Sequence, residues 1–248
     1  MNTTIIAEIG SNWHSLDDCL RSVEAIRNLG CVPKFQAYRA DKLCSKQRDP
    51  VQYETLKLYE FPDAWIKRLG AEGAFFSVFD CDMIDFLESE VKPVYYKISA
   101  PDCNYKKLID KAVATRRTVI ISETRSYPSS HFLHSNVINL YCVSAYPAKC
   151  ANLMFFDSYV GLSDHTTSLI VPSLAVALGA TFIEKHFKLD EMSTPDNPHS
   201  LNLEQFSAMV AYIKEAEWHL ESDAATIEEE KRNMKRATRG IDGLRPSE

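Results

Sequence analysis

No stretch of this sequence approaches the roughly 18 uninterrupted apolar residues of a membrane-spanning helix, so the membrane is not an expected location. The N-terminus runs straight into a strand-like segment without the basic and apolar regions of a secretory leader, which makes a soluble cytoplasmic protein the expectation. None of the seven cysteines (Cys19, Cys31, Cys44, Cys81, Cys103, Cys142, Cys150) sits in a CxxC pair, and their number is odd. Neither a disulfide framework nor a structural zinc site is suggested, and a reducing compartment is the simpler reading. Positive charge is scarce: 28 Lys and Arg against 34 Asp and Glu leave a net charge of -6, with no basic stripe. Nucleic acid is therefore not an expected partner. Finally, the first turn, IGSNWHS, carries no Gly-rich phosphate loop, which speaks against an open doubly wound sheet.

What is present is a repeating pattern. The chain has 248 residues, 45% hydrophobic and 25% charged, enough for a sizeable core. Eight short β-branched or aromatic runs recur, centred near Ile5, Phe35, Phe76, Tyr96, Ile120, Tyr141, Leu162 and Ile183. Most are separated by stretches with apolar residues at helical spacing, such as SLDDCLRSVEAIRNLG and SLIVPSLAVALGA. Eight βα units predict closure into a (β/α)₈ TIM barrel, which takes about 250 residues. The segment LNLEQFSAMVAYIKEAEWHLE is expected to form the eighth helix, packing Phe206, Met209, Val210 and Ile213 inward. The barrel is thus expected over residues 1–221, followed by a charged, exposed helix and loose end over 222–248.

Side chains alternate along a strand, so residues of one parity enter the barrel. On that parity lie Glu8, Lys34, Gln36, Ser77, Lys97, Ser99, Ser122, Ser144, Tyr146, Ser163, His165, Glu184 and His186, all towards the carboxyl ends of their runs, where this fold builds active sites. Any one of them could be a capped or solvated side chain. Together they would bury several charges, each costing several kcal/mol if uncompensated, so an anionic ligand is indicated, with a metal as a further candidate. Two lysines among hydroxyls suit a phosphate and a carboxylate. His165 and His186 could bring two imidazoles to one ion, with Glu8 as a possible oxygen ligand.

These residues sit in segments that resemble the N-acetylneuraminate (sialic acid) synthases and their relatives that make other nonulosonic acids. The similarity covers nearly all of the barrel: AEIGSN at 7 to 12, KFQAY at 34 to 38, YKIS at 96 to 99, CVSAYP at 142 to 147, GLSDHT at 161 to 166, ALGATFIEKHFKLD at 177 to 190 and PDNPHSL at 195 to 201. GLSDHT followed by IEKHF is the specific part. The resemblance implies condensation of phosphoenolpyruvate with the open-chain aldehyde of an N-acetylmannosamine-like hexosamine, giving a nonulosonic acid and phosphate with C–O cleavage. It implies a divalent ion at His165 and His186, typically manganese, with magnesium or cobalt as alternatives. Phosphoenolpyruvate would be held by Lys34, Lys97, Ser122, Ser144 and Ser163, and the sugar by Gln36, Tyr146 and Asp196. Glu8 would stand near the aldehyde, and Asp102 occupies the place of an acidic residue suited to proton transfer.

Departures from the family pattern bear on the same chemistry. Trp13 and His14 replace a His-Asn pair at the sugar side, and Val78 stands where a phosphate-contacting Thr is expected. Ser99 comes one place early and leaves Ala100 at the usual hydroxyl position, while STG after the fifth strand is Ser122-Glu123-Thr124. Each lost hydrogen bond to a charged group would weaken binding by about 1.5–3 kcal/mol. Relatives also carry a C-terminal antifreeze-like domain that reaches over a partner's barrel. This chain is expected to do without it, with a separate lid protein as one possible substitute. By the same resemblance a homodimer is expected. Two other readings stay open: a Schiff-base pyruvate aldolase using Lys97, and a non-catalytic barrel retained for sugar-phosphate binding or assembly.

Overall fold

Each strand-like run pairs in parallel with the next, and the last returns to the first. A computed structural model describes residues 2–128, 134–156, 158–189, 191–221, 223–239 and 245. Its strands are β1 (Thr4–Glu8), β2 (Val32–Ala37), β3 (Phe75–Val78), β4 (Tyr95–Ile98), β5 (Thr118–Glu123), β6 (Val137–Cys142), β7 (Gly161–Asp164) and β8 (Phe182–His186). They close in sequence order into a parallel barrel, the (β/α)₈ architecture expected from the eight runs. The helices are α1 (Leu16–Asn28), α2 (Ala40–Leu43), α3 (Pro50–Leu58), α4 (Asp63–Ala71), α5 (Cys81–Glu90), α6 (Lys106–Ala114), α7 (Val171–Ala177), α8 (Leu203–Leu220) and α9 (Ala224–Ala237). Among the described residues only a short 3-10 turn, Leu153–Phe155, lies between β6 and β7, so the helical coat is thin there. No helix among them is long and apolar enough to cross a membrane.

Local chemistry sets these elements. Helix α1 starts at a capping box in which the Ser15 hydroxyl and the Asp18 carboxylate exchange hydrogen bonds with each other's backbone N–H, and it buries Cys19, Val23 and Ile26 at helical spacing. Helix α8 has the same device at Asn202 and Gln205, and its buried face is Phe206, Met209, Val210 and Ile213, as the periodicity predicts. Helix α9 buries none of its residues. Of the expected tail around it, Ser222, residues 240–244 and residues 246–248 lie outside the described residues, as does Asp190 of the FKLD segment.

Register and alternation stack the barrel interior in layers drawn from alternate strands. At the amino-terminal end Val32, Tyr95, Ile138 and Phe182 pack under Ile6, Phe75 and Ile120, and Leu140 reaches down to them from the level above. Gly161 is required here, because a Cβ would collide with the Phe182 carbonyl and the Leu140 side chain. Each large side chain fully buried in such a plug contributes about 1.5–3 kcal/mol. The next level, from β2, β4, β6 and β8, is Lys34, Lys97, Leu140 and Glu184; above it β1, β3, β5 and β7 supply Glu8, Ser77, Ser122 and Ser163. An apolar plug thus turns abruptly into charge, and the change marks the floor of a cavity.

Candidate active site

That cavity has a volume of about 310 Å³ and opens at the carboxyl ends of the strands. On its floor Lys34 is ion-paired to Glu8, donates to Ser77 Oγ at 2.8 Å and lies 3.8 Å from Glu184 Oε2. Lys97 Nζ donates to the Ile98 carbonyl at 3.0 Å and lies 3.9 Å from Glu184 Oε1, which also accepts the Ser163 hydroxyl at 2.9 Å. Burial alone would raise the Glu184 pKa, but the two ammonium groups pull it down to about 2. Burial opposes the charge on Lys34 as well, yet Glu184 and Glu8 outweigh it and hold its pKa above the usual lysine value. Glu8 goes the other way: burial lifts its pKa further than Lys34 can depress it. Burial also lowers the Lys97 pKa, against the attraction of Glu184. Glu184 thus stays ionised between the two ammonium groups, while Glu8, paired to Lys34, is the carboxyl whose hold on a proton burial strengthens. Glu8 Oε1 accepts from Gln36 Nε2 at 3.1 Å.

At the mouth, the segment after β8 folds back over the strand ends. Asn12 holds it there: its amide donates to the Phe187 carbonyl at 2.9 Å and to Ser200 Oγ at 2.8 Å, and its carbonyl oxygen accepts Thr194 Oγ1 at 2.7 Å. Ser11 clamps Asp196 through its backbone N–H at 2.7 Å and its hydroxyl at 2.9 Å. Gly10, with φ +55°, permits this approach, since a Cβ at that position would strike the Asp196 carboxylate. The fold-back brings one ligand-capable atom each of His186, Asp196 and His199 within 4.8 Å of one another. The His165 ring lies 5.6 Å from His186 and 4.3 Å from Tyr146. His165 Nδ1 is 2.8 Å from the Val143 carbonyl, which fixes that nitrogen as the donor and leaves Nε2 with its lone pair. Burial pushes the pKa of His165 down and that of His186 to about 3, so both rings are neutral at pH 7. Burial would raise Asp196, but His199, His186 and Ser11 outweigh it and hold its carboxyl well below the usual range.

Comparison with known proteins adds a direct test of kinship. The NeuB family model matches residues 23–224. A pseudaminic acid synthase of Campylobacter jejuni is 31% identical over 252 residues, spanning 86% of this chain and 73% of its own length. An N,N'-diacetyllegionaminic acid synthase of Legionella pneumophila is 31% identical over 264 residues, spanning 88% and 73%. This chain belongs to the NeuB family. It is a NeuB-type synthase, and the barrel agrees: the crystal structure of N-acetylneuraminic acid synthetase from Leptospira borgpetersenii superimposes with a TM-score of 0.81 at 25% identity, over 96% of this chain and 94% of that one.

Within this NeuB barrel most residues singled out from the sequence meet in one place. Glu8, Lys34, Gln36, Lys97, Ser122, Tyr146, Ser163, His165, His186 and Asp196 all line the cavity. Ser144 does not. Strand β6 ends at Cys142, alternation lapses beyond it, and Ser144 turns out to the surface beside a neighbouring cavity while Cys142 takes the inward position. Asp102 lies behind the wall, where it accepts the Ser99 hydroxyl at 2.5 Å. Trp13 does not reach the mouth either; it stacks on Phe61 at 4.5 Å with its indole N–H donated to the Gly10 carbonyl, and His14 is exposed. Val78 faces the helices within the hydrophobic core.

Of the expected metal pair, His186 lies in a compact group with Asp196 and His199, and His165 lines the same cavity with its ring 5.6 Å from that of His186. His199 escaped sequence reasoning because it belongs to a fold-back held by distant partners, although Asp-x-x-His was visible as a spacing. The residues fit a NeuB metal: His186 Nδ1 is buried without a hydrogen-bond partner among the described residues, His199 Nε2 faces Asp196 Oδ1 at 3.5 Å without a well-formed hydrogen bond, and two imidazoles with a carboxylate suit a divalent transition ion. A second omission is Lys185, which faces outward between Glu184 and His186. Its Nζ donates to Asp164 Oδ2 at 2.5 Å, to the Thr166 carbonyl and to the Ser168 carbonyl at 3.2 Å, tying β8 to the turn that carries His165.

Proposed function

We propose that this cavity joins phosphoenolpyruvate to the aldehyde carbon of an open-chain N-acylated hexosamine, yielding a nonulosonic acid and phosphate. The observation that carries the reading is the meeting, in one well, of two buried lysines, a row of hydroxyls and a His-Asp-His group. Lys34 and Lys97 supply the cationic floor for carboxylate and phosphate, Ser77 and Ser122 supply hydroxyl donors to the oxygens, and Ser163 lines the same wall. Glu184 keeps Lys34 charged and, by accepting from Ser163, fixes that hydroxyl. Gln36, Tyr146 and Asp196 flank the acceptor.

His186, Asp196 and His199, with His165 alongside, would hold a divalent ion, manganese being the first choice. Such an ion supplies Lewis-acid polarisation of the aldehyde oxygen when bound. Glu8, whose proton affinity burial raises, is the group placed to give a proton from its carboxyl oxygen to the alkoxide formed as the enol carbon attacks. Tyr146 and the fold-back limit water at the mouth.

Phosphate release tests the reading. With phosphoenolpyruvate, manganese and a panel of aldoses and N-acetylhexosamines, release should require both substrates, and the phosphate should carry the bridging oxygen of phosphoenolpyruvate. Activity that survives both His165→Ala and His186→Ala would refute the assigned metal role. The lowered Lys97 pKa favours one rival, a Schiff-base aldolase, and borohydride trapping with pyruvate decides it: no covalent adduct on Lys97 is expected.

A further inference from the structure

The proposed reaction asks for more proton handling than Glu8 provides. After the carbon–carbon bond forms, water must add to the cationic C2 and lose a proton, and the departing phosphate must gain one. The residue positioned by the resemblance for such work, Asp102, does not line the cavity. Ser99 does, two residues beyond Lys97 on the same inward parity. At the head of its 3-10 turn, Ala100–Asp102, a serine would ordinarily cap a backbone N–H; Ser99 makes no such bond. Its hydroxyl instead donates to Asp102 Oδ2 at 2.5 Å. The serine that stands one place early in the sequence thus occupies the gap between the well and the carboxyl behind it.

We propose that Ser99 is a proton conduit linking the cavity to Asp102. The inference rests on the proposed condensation. As the oxygen–C2 bond forms, the water passes a proton to Ser99 Oγ while Ser99 passes its own to Asp102 Oδ2. When the bond between C2 and the bridging oxygen breaks, its electron pair leaves with the phosphate, which takes that proton back along the same path. The C2 hydroxyl becomes the ketone, and its proton replaces the one Glu8 gave to the alkoxide. No other reactant is consumed. Burial raises the Asp102 pKa, against the pull of the Ser99 hydroxyl and Lys97, which suits a group that must both accept and return a proton. Among the described residues, Ser99, Lys97 and Cys103 are the polar and titratable groups that interact with it.

A double-mutant cycle on the full chain, with manganese, phosphoenolpyruvate and an accepted sugar, tests the conduit. Ser99→Ala and Asp102→Asn should each lower kcat by about 10²-fold, with KM for phosphoenolpyruvate within about twofold. The double variant should be no slower than the worse single, because the two act in series. Ser99→Thr, which keeps the hydroxyl, should recover much of kcat, and the acidic limb of the kcat profile should vanish in both single variants. A rise in KM at unchanged kcat would make Ser99 a phosphate ligand and overturn the conduit, as would multiplicative losses in the double variant. Wild-type protein that releases no phosphate with any acceptor sinks the condensation and the conduit together. Wild-type turnover with an unaffected Ser99→Ala sinks the conduit alone.

Discussion

Replacing Lys185 by methionine should cost far more than removing an ordinary surface lysine. Lys185 and Asp164 have side chains with 0% exposure, and among the described residues this ammonium group is the counter-charge Asp164 has at contact distance. Methionine fills a similar volume but leaves a buried carboxylate with Thr166 as its donor and no counter-charge, and takes the lysine donor from the Thr166 and Ser168 carbonyls. Breaking a buried pair in this way costs about 3–5 kcal/mol, and at about 2–4 °C per kcal/mol for a chain of this size the melting temperature should fall by roughly 6–20 °C. The double variant Asp164→Leu/Lys185→Met removes both charges, so it should regain most of the loss, although Thr166 still loses the carboxylate that accepts its N–H at 2.9 Å. Urea unfolding of the three proteins measures the terms. A Lys185→Met protein within about 1 kcal/mol of wild type, or a double variant as unstable as the single, would refute the argument.

Other substitutions probe the mouth. Gly10→Ala should be destabilised by about 1–3 kcal/mol for its left-handed backbone and should displace Asp196; calorimetric manganese titration would show weaker binding, and unchanged affinity would argue against the fold-back as a ligand carrier. His199→Ala should weaken manganese binding more than about tenfold, read by electron paramagnetic resonance of free ion; an unaltered constant would return the site to His165 and His186 alone. The metal-free protein should lose stability on acidification. Both histidines stay neutral in the folded state but take up protons in the unfolded chain below pH 6.5, so unfolding is favoured progressively from there down to about pH 3 for His186. Melting temperatures that rise between pH 7 and 5 would contradict this sign.

Alternation was enough to place Lys34, Lys97, Ser163, His165 and His186 in one well, because a parallel barrel keeps strict parity while its strands last. It stopped working where strands stop. Ser144 lies two residues past the end of β6, where no ladder constrains the chain. His199 reaches the site through contacts made by Asn12 and Ser11, over 180 residues away in sequence, and such pairings leave no periodic trace. Trp13 was misplaced for a related reason: an aromatic side chain in a loop goes where other rings offer it area, here Tyr59, Phe61 and Trp65. Lys185 has the wrong parity for the cavity, so alternation gives no sign of the group that braces it.

The plug of two apolar layers beneath Lys34 and Lys97 makes the well blind-ended. Traffic must use one doorway, which imposes an order on turnover. Under the proposed condensation the smaller anion, bound deepest, would have to arrive before the sugar stands in its way, and the long-chain product would have to depart before the phosphate behind it. Steady-state kinetics should accordingly be sequential and ordered, with free phosphate competing against phosphoenolpyruvate for the empty enzyme.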